Sequence, residues 1–437
     1  MKRALLVCLA GLFSTGALAA DLLQVYRDAL ANDAKFAAAR AQREAGQEKV
    51  VQGLSGLLPQ IGAAASTNWN QANARTSLGS FDRDYNSNGY SVQLTQPLFR
   101  WQNWVQYKQG ELQTALADSQ FGLARQDLVL RVADAYFNVL NAQDALAAVT
   151  QLRTAAGEQL QLAKTSFEVG TVTITDVHEA QSRFDLASAQ EIAAQNQLEV
   201  ARQTLAQIIG KQPDALAGLR PGVELQRPQP DNIADWVSAA EAGSLGVQSQ
   251  QLAREIAARE VERAQAGHLP TVDVVASYGL NRRPAITTDR SEATTIGLQL
   301  NVPLYSGGRT SSLTREAAAL RLKADSDLED ARRSAALAAR QSWLGVTSGL
   351  AQVKALEAAR VSSTSSLEAN KLGYEVGVRI NIDVLNAQSQ LADTQQKLAR
   401  ARYDTLLAQL RLKAAAGTLG EDDVQAINAL LTTAPAR

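Results

Sequence analysis

The 437 residues carry 43 Lys and Arg against 44 Asp and Glu, a formal net charge of -1. The basic residues are scattered, which excludes a basic nucleic-acid-binding stripe. Apolar residues make up 46% of the chain and aromatics only 5%, so a sizeable core is possible, and the abundance of alanine suits closely packed helices better than sandwiches.

The chain opens like a secretory signal peptide over residues 1–19. Lys2 and Arg3 form a basic start, Ala4 to Phe13 an apolar stretch, and Ala17-Leu18-Ala19 a small-residue cleavage site, so a mature chain is expected to begin near Ala20. A buried N-terminal helix is the alternative. The one cysteine, Cys8, lies in this segment, and Val7 before it is not the small residue that lipoprotein processing prefers. No later run of about 18 apolar residues follows, so any membrane crossing falls to strands.

Strand signals come next. In Ile61 to Asn70, Gly62, Ala64, Ser66 and Asn68 share a polar side, and Tyr90, Val92 and Leu94 alternate with Ser91, Gln93 and Thr95. Period two with one polar face fits a half-buried strand or a membrane barrel strand, and roughly 10 tilted residues cross a bilayer. From Phe99 to about Phe167 there is no proline; some 70 helical residues at about 1.5 Å each make a rod of roughly 100 Å, which must pack as a coiled coil. Phe99, Trp101, Trp104 and Tyr107 at its start read either as an aromatic membrane girdle or as helix packing. A turn around Gly170 leads to a second helix from about Asp176 to Ile209. Pro213, Pro221, Pro228 and Pro230 then make residues 211–232 an irregular linker.

The rest of the chain repeats the first part. Phe167-Glu168-Val169-Gly170 is echoed by Tyr374-Glu375-Val376-Gly377, Asp176-Val177 by Asp383-Val384, and Ala180-Gln181-Ser182 by Ala387-Gln388-Ser389, all at the offset 383 − 176 = 207. Leu58-Pro59 recurs as Leu269-Pro270, and Pro97-Leu98-Phe99 as Pro303-Leu304-Tyr305. Val272, Val274, Ala276, Tyr278 and Leu280 form one face of a third strand, and Ile296 to Val302 alternates as a fourth. The expected organisation is a first repeat over residues 20–210, a second over 233–417, and a tail over 418–437, each repeat reading helix, hairpin, very long helix, turn, helix. Four strands cannot close a useful barrel, and an open sheet in lipid leaves two unpaired edges. Three chains giving four strands each would close one of 12; a soluble antiparallel sheet is the alternative.

At the two turns, at Pro303-Leu304-Tyr305-Ser306-Gly307-Gly308 and at Gly417-Thr418-Leu419, the sequence resembles the TolC family of outer-membrane export proteins. The resemblance covers essentially the whole mature chain. It implies an α+β membrane protein: a homotrimer with a 12-stranded outer-membrane barrel continuing into a long α-helical coiled-coil periplasmic tunnel. It further implies an efflux or type I secretion channel in contact with outer-membrane lipid, docking with a periplasmic adaptor protein and an inner-membrane transporter of the ABC, RND or MFS type. By the same resemblance Thr175, Asp176, Tyr374 and Arg379 form a periplasmic gate, with Tyr374 donating to Asp176 and Arg379 bonding near Thr175. Asp383 matches an aspartate that narrows the pore as a ring; Asn386 stands where the family often has a second one, so weaker block by multivalent cations is expected. Val169, Gly170, Thr171, Val376, Gly377 and Val378 resemble the adaptor-contact tip.

Read without the resemblance, Gly170 and Gly377 are helix-ending residues, Asp176 with Glu179 is a capping box, and Asp383 is a helix-start residue. Enzyme readings find no support. The two histidines, His178 and His268, are too few for a zinc site, His178-Glu179 lacks a second histidine at Ser182, and no phosphate-cradling loop is present. No catalytic residue, cofactor or nucleic-acid partner is expected. A soluble periplasmic coiled-coil scaffold is the competing function.

Overall fold

The computed structural model describes residues 19–76, 79–285 and 288–435. The signal-peptide reading falls almost wholly outside the described residues. In chain order the elements are α1 (Leu22–Asn32), α2 (Ala34–Ser55), β1 (Gln60–Thr76), β2 (Gly79–Phe99), α3 (Trp101–Glu168), α4 (Ile174–Ile209), β3 (Ala217–Leu219), α5 (Ile233–Gly243), α6 (Leu245–Gln265), β4 (Thr271–Ala285), β5 (Thr288–Asn301), α7 (Arg309–Glu375), α8 (Asn381–Ala415), α9 (Glu421–Asn428) and β6 (Leu431–Pro435). No described helix is long and apolar enough to cross a membrane.

Two compact units emerge, and each takes segments from both sequence repeats: one comprises Met1–Ala38, Leu123–Ser244 and Ser334–Arg437, the other Ala39–Gly122 and Leu245–Arg333.

The second of these carries the sheet, antiparallel throughout with strand order β1-β2-β4-β5. The strands run 17, 21, 15 and 14 residues, longer than the roughly 10 that a bilayer requires, so both hairpins exceed the apolar band. Register fixes the faces, because successive side chains alternate. One face aligns Ile61, Leu94, Ala276 and Ile296, then Ala63, Val92, Tyr278 and Thr294. The other aligns Gly62, Gln93, Ser277 and Thr295, then Ala64, Ser91, Gly279 and Ala293. One side is apolar and the other small and polar, with β1 and β5 as open edges.

Below the strands in this unit, α2 lies against α3 at backbone distance. A Cβ on Gly110 would meet the Lys49 carbonyl oxygen at 2.5 Å, and one on Gly53 the Tyr107 Cα at 2.9 Å. Any larger residue at these positions would force the helices apart. Arg100, at the base of β2, donates Nε and Nη2 to the two carboxylate oxygens of Asp273 on β4, each at 2.7 Å. Asp273 is only 5% exposed, so this bidentate pair ties the strand base to the start of α3. Trp101 and Trp104 are exposed, with Trp101 Nε1 donating to Glu262 at 3.1 Å.

In the other unit the helices pack through alanine-rich seams. Val237, Ala240, Ala336 and Ala339 form one buried cluster, and Trp236, Val346, Leu412 and Ala416 another. Tyr403 on α8 donates to Asp144 on α3 at 2.7 Å and stacks on Phe137 with 5.6 Å between ring centroids.

Three local expectations need correction. The helix opening each repeat is two helices: Asp33 ends α1 and accepts from the Phe36 N–H at 2.6 Å, capping α2, and Ser244 separates α5 from α6. The linker is not wholly irregular, since β3 forms within it and pairs with β6; buried Leu216 and Ala217 give that stretch an apolar anchor between its prolines. The tail holds α9 and β6, with Asn428 donating to Asp21 at 2.8 Å.

Candidate functional site

The two turns between paired helices, with the helix ends that flank them, carry the residues expected to form the gate, the constriction and the tip. Each closes by the same hydrogen-bond scheme. At the first, the Thr171 N–H donates to Ser166 O at 2.9 Å and Gly170 N–H to Phe167 O at 2.9 Å; at the second, Val378 N–H donates to Gly373 O at 2.9 Å and Gly377 N–H to Tyr374 O at 3.1 Å. Gly170 and Gly377 sit at φ +79° and +78°, the left-handed conformation this helix-ending motif requires and a β-carbon disfavours. The turns leave Val169 71% and Val378 75% exposed, and Val376 and Thr171 are exposed as well. Such apolar tips suit contact with another protein.

Behind the turns the helices converge. Ala156, Leu160 and Ala163 of α3, Ala180 of α4 and Leu385 of α8 form one buried cluster, joined by Val177, Phe184 and Ile382. A groove of about 460 Å³ continues from it between α3, α4 and α8, with Leu152 and Leu186 on its apolar side and Arg183 and Asp393 on its polar side.

The turns diverge at the helix starts that follow. Thr173 is the N-cap of α4, and Asp176 completes a capping box with it. The Thr173 N–H and hydroxyl both donate to Asp176 Oδ2 at 2.8 Å, and Asp176 N–H donates back to Thr173 Oγ1 at 3.3 Å. The box therefore runs from Thr173 to Asp176, not from Asp176 to Glu179. Its signature, Ser/Thr followed three residues later by an acid, stands in the sequence as Thr173-Ile174-Thr175-Asp176. Thr175 points outward, exposed. At the second turn Ile380 occupies the N-cap position and has no side-chain cap bond. Asp383 is consequently free of a box and pairs with Arg379, Nη1 to Oδ2 at 3.6 Å.

Neither expected gate link forms within one chain. Asp176 is engaged by Thr173, Arg379 by Asp383, and the Tyr374 hydroxyl has no hydrogen-bond partner among the described residues. Arg379 instead lies over Gly373, where a Cβ would meet its Cγ at 2.7 Å. One turn beyond Asp383, Asn386 Oδ1 accepts from Arg183 Nη2 of α4 at 3.0 Å.

Thr173, Arg183, Gly373 and Asn381 belong to the site but were not singled out from the sequence. Asn381 is buried at the start of α8 with its Oδ1 unpartnered. Only Thr173 had a sequence signal; the others depend on which helices meet. The described residues hold no cluster of metal-ligating side chains.

Comparison with known proteins places this arrangement. The sequence signature of the family described as "Outer membrane efflux protein" matches residues 25–211 and 236–418. Outer membrane protein TolC of Vibrio cholerae serotype O1 is 36% identical over 429 residues, covering 97% of each chain. The alkaline protease secretion protein AprF of Pseudomonas aeruginosa is 35% identical over 422 residues, covering 94% of this chain and 88% of its own. The crystal structure of the Campylobacter jejuni CmeC outer membrane channel superposes with a TM-score of 0.81 at 17% identity, covering 94% of this chain and 89% of that one.

Proposed function

The chain belongs to the outer membrane efflux protein family, whose members are channels for efflux or type I secretion, and on that premise we propose how its own residues build the duct and its gate. It is an outer-membrane channel with a periplasmic extension, which displaces the soluble scaffold reading. Its family is one of transport channels and not of enzymes.

The observation that carries the assembly is the sheet: four strands, one apolar face, one small polar face and two open edges. Hydrocarbon does not tolerate unpaired strand edges. Pairing β5 of one copy with β1 of the next removes both, and three copies give 3 × 4 = 12 strands with the apolar faces to lipid and the polar faces inward. The chain is thus a homotrimer whose barrel continues into a helical periplasmic tunnel.

At the turns, Thr175, Asp176, Tyr374 and Arg379 serve as the gate through links between neighbouring chains. Supporting this reading, the Tyr374 hydroxyl is unpartnered among the described residues and Arg379 is held only loosely by Asp383. Each link contributes about 0.5–3 kcal/mol, weak enough for a docked partner to release. Asp383, repeated in three copies, forms an acidic constriction that concentrates cations; Asn386 beside it adds no second ring. Val169, Gly170, Thr171, Val376, Gly377 and Val378 present the exposed tip to a periplasmic adaptor protein, which couples the channel to an inner-membrane transporter.

Single-channel recording of detergent-purified protein in a planar bilayer tests the reading. A small, stable, cation-preferring current is the expected result. Folded protein that fails to insert, or an anion-preferring current, would overturn it.

A further inference from the structure

We propose that the outward face of the sheet carries a binding site for the phosphate groups of an outer-leaflet glycolipid, formed by Arg282 and Arg290 just beyond the apolar band. The inference rests on the channel reading above, which turns that face to lipid.

The argument starts from cross-strand rows. From Phe99 to Tyr90 the apolar face spans nine residue steps, and strands tilted about 40° convert roughly 30 Å of length into the 25 Å or so of a barrel's apolar band. Its upper margin is marked by Tyr90 and Tyr278, whose ring centroids are 6.2 Å apart, the kind of aromatic border found at a membrane interface. Immediately past this border the row is Thr67, Asn88, Arg282 and Arg290, in register across all four strands and on the same face.

Two arginines directly opposite each other repel and destabilise the pair. Only one is answered within the chain. Arg290 Nη2 donates to Glu292 Oε2 at 2.8 Å, and Glu292 Oε1 accepts from the Tyr278 hydroxyl at 2.8 Å, so the acid is held on the aromatic border by two bonds. Arg282 has no charged partner among the described residues, and its other neighbour in the row, Asn88, is neutral. Arg283 follows at a register break, with φ +49°. The result is a local excess of positive charge at the depth where headgroups lie, above a face that lipid chains cover. Guanidinium groups bind phosphate oxygens bidentately and are less strongly hydrated than ammonium groups. The outer leaflet of this membrane is built of phosphorylated glycolipid, which meets both the charge and the depth. Arg282 then grips a phosphate directly, while Glu292 orients Arg290 and limits its affinity.

The test uses detergent-purified full-length protein and native mass spectrometry with bis-phosphorylated lipid A, lipid A lacking both phosphates, and inorganic phosphate. Wild-type protein should retain the phosphorylated lipid at least about tenfold better than the dephosphorylated one. Arg282→Gln with Arg290→Gln should abolish that preference while single-channel conductance stays unchanged. Glu292→Gln keeps one acceptor oxygen of the same shape but removes the competing charge, and should strengthen retention about threefold. Equal retention of the two lipids by the wild type, or an undiminished preference in the double variant, overturns the proposal. Full displacement by millimolar inorganic phosphate also overturns it, because the anion alone would then be recognised. Absence of lipid preference in conducting wild-type protein strikes only this inference, whereas failure of the wild type to conduct strikes the channel reading.

Discussion

The two helix turns share a backbone and differ in how firmly each holds its acid. Both end a very long helix with a left-handed glycine, both place an aspartate at the third position of the next helix, and both expose apolar residues at the tip. In the first, the Thr173 hydroxyl and N–H both donate to the Asp176 carboxylate at 2.8 Å, and the hydroxyl oxygen accepts from the Asp176 N–H at 3.3 Å. In the second, Ile380 supplies no hydroxyl, and Asp383, half-buried, keeps only the exposed Arg379 at 3.6 Å. Surface pairs of that kind contribute between zero and about 1 kcal/mol. On the proposed gate, the two turns would bring differently held acids to the same closure. The self-capped turn holds its own acid in place, while at the uncapped one Asp383 and Arg379 have only their loose mutual pair and the Tyr374 hydroxyl has no partner among the described residues.

The largest predicted effect comes from removing the guanidinium of the second turn. If Arg379 contributes one link of about 1 kcal/mol per copy, Arg379→Ser in a trimer shifts the closed–open balance by about 3 kcal/mol, or roughly 100-fold. Single-channel conductance should rise markedly with insertion unaffected. Adding Asp176→Ala should raise it further; a current unchanged in the double variant would remove these residues from the gate.

A smaller effect concerns Asn386. The bond from Arg183 means that an acid installed there would be paired as soon as it was made. Asn386→Asp alone should therefore leave trivalent-cation block nearly unchanged, whereas Asn386→Asp with Arg183→Gln should strengthen it by about tenfold, the effect of an added ring of unpaired charge. Block constants from current titrations decide this, and equal strengthening by the single variant would show that Arg183 does not neutralise the position.

The self-capped turn is tested by Thr173→Val, which keeps the shape and deletes the hydroxyl. Loss of an N-cap costs about 1 kcal/mol, so amide exchange at the start of α4 should quicken by about fivefold while that at the start of α8 stays as it was. Equal changes at both helices would mean that the turns are coupled and not independent.

Much of this contrast was legible in the sequence. The glycines, the shared offset of 207 and the two aspartates locate both turns, because a helix-ending motif is local and its residue requirement is strict. Alternation likewise located the strands, since one polar face is a period-two signal. What escaped was set by choices between near-equivalent neighbours or by distant contacts. Asp176 and Thr173 are both acceptable caps, and only the observed backbone decides for Thr173. Asp33 breaks the opening helix with a capping bond that its sequence allowed but did not compel. The partnership of Arg183 with Asn386, 203 residues apart, and the pairing of β3 with β6 follow from packing, which no local pattern records.

The finest test gives the second turn what it lacks. Ile380→Thr places a hydroxyl at the N-cap of α8, three residues before Asp383, recreating the spacing of Thr173 and Asp176. The backbone there already matches, with Ile380 at φ -102° and ψ 161° against -87° and 159° at Thr173. A box should form without rearrangement and stabilise the helix start by about 0.5–1 kcal/mol. Asp383 would then be drawn back onto its own backbone, as Asp176 is. Local exchange at the start of α8 should slow about threefold, and cation preference should weaken modestly because the carboxylate points less into the constriction. Slower exchange with undiminished cation preference would show that capping and pore lining are compatible after all, and that the missing hydroxyl at Ile380 does not keep Asp383 available.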